Sequence, residues 1–183
     1  MPDPTPTSQQ NTLDSHLAPR NPSGSAPTPE QAPRWLTAAE QATWRDWIFV
    51  TSRIDATMAR ELQRHSDLSL ADYTVLVPLS EHPQRRERIA ALAEALQWDR
   101  SRLSHQITRM AKRGLVRRES CAEDGRGAFV VIEPAGMEAI KTAAPGHVKC
   151  VQDSFFDQLD QRDSEDLQRI LRKLAAQFEN DRA

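Results

Sequence analysis

The 183-residue sequence has few cysteines and no long apolar run, and each shortage excludes a class of protein. Two cysteines, Cys121 and Cys150, are too few for the disulfide framework of a small secreted domain, so reduced thiols are expected. No stretch approaches the roughly 20 apolar residues that a membrane helix needs. The N-terminus lacks the basic start and apolar run of a signal peptide. These absences favour a soluble, cytoplasmic protein without membrane contact.

Catalytic and metal-binding motifs are also missing from the sequence. It contains no paired carboxylates, no glycine-rich phosphate loop and no nucleophile elbow. His147 and Cys150 stand three positions apart, which offers two ligands where a zinc site needs three or four. We therefore expect no enzymatic activity, no cofactor and no metal site, with a zinc site at these two residues as the open alternative.

The first 33 residues lack the material for a hydrophobic core. They hold eight of the twelve prolines and no aromatic residue. Such a segment cannot bury enough apolar surface to offset its conformational entropy. The composition predicts a disordered, Pro-rich tail over residues 1–33 and one folded domain over residues 34–183.

Positive charge, which this acidic chain has in slight deficit, is concentrated between Arg85 and Arg126. This window holds 11 of the 24 Lys and Arg residues against six Asp and Glu, a charge of +5. The rest of the chain carries 13 basic and 20 acidic residues, and the whole chain carries −2. Such a concentration suits a nucleic-acid phosphate backbone. The acidic remainder argues against a protein that coats DNA without sequence preference.

Hydrophobic periodicity predicts helices ahead of the basic window. A capping-box pattern at Thr37 starts a long amphipathic helix that reaches about His65. A second such pattern at Ser69 starts a helix to about Glu81, in which Pro78 predicts an early end or a kink.

The C-terminal part is predicted to be helical as well. One helical pattern runs from Met137 to Leu159 with an interruption at Pro145-Gly146, and another starts at Ser164. A single domain rarely has so much apolar helix at both ends, and a second copy of the chain is its simplest partner. We therefore expect residues 34–66 and 137–183 to be dimerisation helices.

The basic window predicts a helix-turn-helix followed by a β-hairpin, within residues 69–133. A helix over 85–96 is linked by Trp98 to a second helix that Asp99 caps and Gly114 ends. The second helix places apolar side chains on one stripe and donor groups opposite, as a helix in the major groove requires. The predicted DNA-binding residues are Arg100, Ser101, Arg102, Ser104, His105, Gln106, Thr108, Arg109 and Lys112, with Arg117 and Arg126 in the hairpin.

The tip of the hairpin is the sequence Asp124-Gly125-Arg126-Gly127. An exposed arginine between glycines suits the minor groove, where the negative potential attracts a guanidinium. Asp124 is expected to orient Arg126 or to close an Asx turn.

The segments Met110–Arg118 and Asp124–Gly136 resemble the MarR family of winged helix-turn-helix regulators, and the resemblance extends from about residue 35 to residue 178. It implies a mainly α fold with a small β-hairpin wing, in which N- and C-terminal dimerisation helices flank the winged helix-turn-helix. It also implies a homodimer on a near-palindromic operator in double-stranded DNA, usually a repressor that a small ligand releases. Two features depart from the family pattern: the Pro-rich tail, and Gly125 where arginine is common.

Four further residues are candidates for effector or redox sensing. The resemblance places Trp44, Trp47 and His65 near the ligand pocket, where they would bind an aromatic or phenolic effector, although such tryptophans more often form dimer core. Cys121, with basic neighbours, is a candidate redox thiol. A thiol-based redox regulator and a ligand-independent architectural DNA-binding protein remain the alternative functions.

Overall fold

The structure of the chain is a computed structural model that describes residues 34–120 and 127–179. The predicted tail over residues 1–33 and the hairpin tip with Cys121, Asp124 and Arg126 lie outside the described residues. Of the described residues, 34–41 belong to one unit and those from 42 onward to another.

The described residues are mainly helical, with a small antiparallel sheet, as predicted. The elements in chain order are α1 (Ala38–His65), α2 (Leu70–Glu81), β1 (Arg86–Arg88), α3 (Ile89–Ala95), α4 (Arg100–Lys112), β2 (Val116–Ser120), β3 (Ala128–Ile132), α5 (Pro134–Ser154) and α6 (Gln161–Glu179). A single 3-10 turn, Phe156–Gln158, joins the last two helices. None of the described helices is long and apolar enough to cross a membrane.

The start of α1 is the predicted capping box. The amide of Thr37 donates to the Glu40 carboxylate at 2.8 Å, and the amide of Glu40 donates to the Thr37 hydroxyl at 3.2 Å. Arg34 also donates to Glu40 at 2.8 Å, and this hydrogen bond with those from Thr37 lowers the pKa of Glu40 to about 2. The end of α1 at His65 is likewise as predicted.

Helix α2 also begins as the sequence predicts, with a capping box between Ser69 and Asp72. Pro78 does not end the helix early, because the helix runs to Glu81 and the amide of His82 donates to the Pro78 carbonyl at 3.0 Å.

The prediction of a helix over residues 85–96 is wrong at the N-terminal end. Arg85 has a positive φ of 57°, and Arg86–Arg88 forms the strand β1, so that α3 starts only at Ile89. Strand β1 pairs antiparallel with β3, and the sheet order is β1-β3-β2. The strand forms because β3 has a second edge whose amides and carbonyls need partners.

The turn between α3 and α4 and the turn after α4 have the same geometry. Gln97 adopts φ 53° and the amide of Trp98 donates to the Ala93 carbonyl at 2.9 Å. Gly114 adopts φ 72°, as predicted, and the amide of Leu115 donates back to the last turn of α4 at 3.1 Å. Both are Schellman caps, which end a helix through one left-handed residue.

The C-terminal helices differ from the prediction within α5, at the end of α5, which stops at Ser154 and not at Leu159, and at the start of α6. Helix α5 continues through Pro145, so the predicted interruption is wrong; the helix buries Ala143 before it and Cys150 after it. Helix α6 begins three residues before Ser164, because the amides of Asp160 and Asp163 each bond the other residue's carboxylate, at 3.2 and 2.8 Å.

The buried core lies among helices α2 to α5 and the sheet. Its fully buried side chains include Leu76, Leu79, Leu92, Leu103, Ile107, Met110, Val116 and Val130. Of the 28 residues of α1 only Leu62 is buried, and no residue of α6 from 161 to 178 is buried. The two end helices therefore leave their apolar stripes uncovered within one chain.

Candidate nucleic-acid interface

Helix α4 separates apolar and donor groups onto opposite faces, as predicted. Leu103, Ile107 and Met110 are fully buried. The opposite face, called the reading face from here on, consists of the exposed residues Arg100, Ser101, Arg102, His105, Thr108, Arg109 and Lys112. Because α4 contains no acidic residue, this face offers hydrogen-bond donors and positive charge without competing carboxylates.

Asp99 takes the predicted N-cap position of α4, but its side chain makes no capping hydrogen bond. The first amides of α4 therefore lack a side-chain acceptor from this residue. A helix N-terminus in this state is well suited to donate hydrogen bonds from its first amides to a phosphate oxygen.

Arg102 is supported by an aromatic ring. Its guanidinium lies 4.1 Å from the ring centroid of Trp98, in the turn between α3 and α4. Trp98 is partly buried and packs against the core, so the ring has a fixed position. A cation–π contact of this kind limits the directions that the guanidinium can take.

Gln106 is a correction to the predicted contact set. Its side chain is only 2% exposed, and its amide nitrogen donates to the carboxylate of Asp72 at 2.6 Å. The carboxylate belongs to α2, which packs against the buried side of α4. Gln106 therefore lies beneath the reading face and does not reach solvent.

The first strand of the wing, the hairpin formed by β2 and β3, is attached to α4. The Arg118 guanidinium donates to the carbonyl and the hydroxyl of Ser104, each at 2.8 Å, and to the Thr108 hydroxyl at 3.3 Å. The sequence prediction did not include Arg118. Because neighbouring side chains of a strand point to opposite faces, the sequence indicates that Arg117 and Arg118 lie on different faces of β2. It does not indicate which of the two faces α4.

Arg117, which was predicted to bind DNA, points to the other face of the sheet. It donates to Glu133 at 2.9 Å and to Glu119 at 3.1 Å. The Glu133 bond is the main cause of the raised pKa of this guanidinium. Arg117 is exposed, but two carboxylates already bind it.

A cleft of about 530 Å³ lies between α4 and β2. It extends the reading face toward the wing, and its lining residues are Thr108, Ala111, Lys112, Val116, Arg117 and Arg118. Lys112 and Arg118 in this lining place positive charge on both the helix and the strand, where a phosphate backbone could bind it, whereas Arg117 already binds Glu119 and Glu133.

The predicted effector residues do not meet within this chain. Trp44 and Trp47 lie exposed on α1, and His65 follows Trp47 by 18 positions on the same helix. At the rise of an α-helix this is about 27 Å. His65 instead lies 3.1 Å from the carboxylate of Glu61. Within a single chain, His65 therefore cannot share a pocket with the tryptophans.

His147 and Cys150 lie on the buried side of α5. The His147 ring is 4.4 Å from that of Tyr73, and burial lowers the pKa of His147. Its Nδ1 is buried and has no hydrogen-bond partner in the part of the chain that the structure describes. Cys150 is a buried free thiol. Among the residues that the structure describes, no group of three or more His, Cys, Asp and Glu side chains is arranged to hold a metal ion.

Comparison of the chain with known protein families and sequences finds matches to regulators of transcription. The family model for the MarR family matches residues 68–127. The transcriptional regulator HosA of Escherichia coli O127:H6 is 31% identical over 108 residues, which are 59% of this chain and 78% of HosA.

Two solved structures from Streptomyces coelicolor share both fold and sequence with the chain. Sco3205, a MarR family transcriptional regulator in complex with DNA, has a TM-score of 0.74 at 41% identity, over 78% of this chain and 90% of its own. AbsC, another MarR family transcriptional regulator, has a TM-score of 0.75 at 40% identity, over 81% of this chain and 99% of its own.

The fold and the reading face define a winged helix-turn-helix DNA-binding protein. The similarity to HosA, Sco3205 and AbsC is extensive enough to place the chain further, and the chain belongs to the MarR family of transcriptional regulators. It is therefore a regulator of transcription and not an enzyme.

Proposed function

We propose that this regulator is a homodimeric repressor, which binds a near-palindromic operator through the reading face of α4 and through the wing. The observation that carries the proposal is the exposed, acid-free face of α4 directly opposite a fully buried apolar stripe. Such a face suits the major groove, in which Arg binds guanine bidentately and hydroxyl groups bind other base edges or phosphates.

The exposed apolar side chains of the end helices support the homodimer. Trp44 and Ile48 on α1 are 57% and 48% exposed, and Leu174 and Phe178 on α6 are 52% and 64% exposed. Their spacing along each helix forms a stripe, and large exposed apolar patches mark interaction sites. A second copy presents the same stripe and covers it symmetrically.

A two-fold dimer places two reading faces on the same side of the DNA. Two such helices enter successive major grooves when their half-sites lie about one helical turn apart. Because a dimer bound over a promoter excludes other proteins from that DNA, repression is the proposed outcome.

The effector stays a prediction. Trp44 and Trp47 remain candidates for contact with an aromatic or phenolic compound, either within the dimer or at its edge. Release of DNA requires that the compound bind more tightly to a conformation of the dimer in which the spacing of the two reading faces does not match the operator. Addition of a panel of phenols to a preformed complex would test this, and the expected result is loss of bound DNA with one of them.

Selection of bound duplexes from a random pool tests the proposal. The expected result is an enriched motif with two inverted half-sites whose centres are about 10 base pairs apart. A motif with one half-site would contradict the dimer, and a pool without any enriched motif would favour the architectural alternative.

A further inference from the structure

Asp72 is a buried carboxylate that joins α2 to α4, the recognition helix of the proposed function. It is 1% exposed and accepts hydrogen bonds from the amide and the hydroxyl of Ser69, at 2.9 and 2.8 Å. Gln106 donates to its other oxygen at 2.6 Å, and Arg113 donates at 2.7 Å. Four donors and the charge of Arg113 offset the cost of burying this carboxylate.

The hydrogen bonds of Asp72 fix the orientation of the Gln106 amide. An ionised carboxylate only accepts hydrogen bonds, so Gln106 must turn its NH2 group toward Asp72. Its carbonyl oxygen then points the opposite way, where Arg109 donates to it. Because Gln106 is buried, water does not compete for either of these bonds.

We infer that Asp72 and Gln106 are positioning residues for DNA recognition, which hold the Arg109 guanidinium in one direction on the reading face. One nitrogen of Arg109 binds Gln106, and the remaining donors stay available to a guanine edge or a phosphate. An arginine held in this way loses less rotamer entropy on binding DNA. The inference rests on the proposed function, because Arg109 must contact DNA for its direction to matter.

Arg113 distinguishes this role from a purely structural one. It pairs with Asp72 and also donates to the Asp67 carbonyl at 2.6 Å, at the C-terminal end of α4. The contact with Arg113 therefore accounts for the charge balance of Asp72. The Gln106 carbonyl contributes nothing to that balance, and its contact with Arg109 points toward the reading face.

A double-mutant cycle tests the inference with the full chain and a duplex selected by the wild-type protein. Gln106→Met keeps the length of the side chain and removes both hydrogen bonds, while Ser69 and Arg113 still bind Asp72. We expect Arg109→Ala to weaken binding about tenfold or more, and Gln106→Met to weaken it about three- to tenfold. In the Arg109→Ala background, Gln106→Met should cause no further loss.

Lys112→Ala provides the matched control background. Lys112 is on the same face but does not bind Gln106, so Gln106→Met should keep its full effect there. If Gln106→Met fails to unfold cooperatively on heating, Gln106→Asn enters the same cycle, since its shorter amide cannot bridge Asp72 and Arg109.

The outcomes separate the inference from the proposed function. An equal effect of the Gln106 variant in the wild-type and Arg109→Ala backgrounds would overturn the positioning role and leave the proposed function standing. Unchanged affinity in Arg109→Ala itself would instead remove Arg109 from the DNA contacts, and the inference would fail with that part of the proposed function.

Discussion

The Arg118 guanidinium bonds both the backbone carbonyl and the hydroxyl of Ser104 at 2.8 Å, which links the first strand of the wing to the middle of the recognition helix. The two residues are 14 positions apart, on different elements that, in the proposed function, contact DNA together. Because of this link, the base of the wing and the reading face keep one relative position before DNA is bound. Preorganisation of this kind lowers the entropic cost of a two-part contact.

Replacement of Arg118 tests the value of this link. Arg118→Met should weaken operator binding more than Arg117→Met, although both variants lose one positive charge from the same strand. Arg117 is the matched control because it binds Glu119 and Glu133 on the opposite face. Fluorescence anisotropy at physiological salt measures both affinities. Equal losses would show that only the charge of the strand matters.

Trp98 should affect DNA binding through Arg102. Trp98→Leu removes the aromatic face beneath the guanidinium, and a contact of this kind is worth about 0.5–1 kcal/mol at an exposed site. We expect a weakening of about two- to fivefold. Trp98→Phe keeps an aromatic ring and should recover part of the affinity. If both variants bound DNA as tightly as the wild-type protein, after correction for the fraction folded, Trp98 would have no role in DNA binding.

Gly136 should be intolerant of any side chain. A Cβ atom at this position would lie 2.1 Å from the carbonyl oxygen of Leu115, which accepts the amide of Glu133 at the start of α5. Since backbone cannot move aside cheaply, Gly136→Ala should destabilise the fold by roughly 1–3 kcal/mol.

Gly146→Ala is the control for Gly136→Ala. Its Cβ would meet only the flexible carboxylate of Glu61, at 3.3 Å, and a helix-interior alanine is favoured over glycine by about 1 kcal/mol. Thermal unfolding should therefore give a lower Tm for Gly136→Ala and an equal or higher Tm for Gly146→Ala. Similar Tm values for the two variants would contradict the close contact at Leu115.

The apolar stripe of α6 should control oligomeric state. Leu174→Glu places a charge in the proposed interface and should give monomers, whereas Gln168→Glu adds the same charge to another exposed position of the same helix. Sedimentation velocity distinguishes the two. A dimer that persists in Leu174→Glu would show that this part of α6 is not in the interface.

The parts of the fold that could be predicted from sequence depend on local signals. The capping boxes at Thr37 and Ser69 and the left-handed cap at Gly114 each act within a few residues, and all three are present. The buried stripe of α4 follows from helical periodicity alone.

The parts that were missed depend on distant partners. Strand β1 has three charged residues and no alternation of its own, and it forms only because β3 offers an edge to Arg86–Arg88. Gln106 has the appearance of a surface residue until Asp72, 34 positions earlier, is placed beneath it. The link from Arg118 to α4 requires the register of a strand that periodicity alone does not fix.

A gel shift with purified full-length protein and the DNA upstream of its own gene, at physiological salt, tests the central claim most directly. The account predicts a discrete complex that survives excess unrelated competitor DNA and that needs about tenfold more protein, or more, to form with Arg102→Ala or Arg109→Ala. A diffuse signal that competitor removes, together with variants that bind as well as wild type, would contradict sequence-specific binding through the reading face of α4.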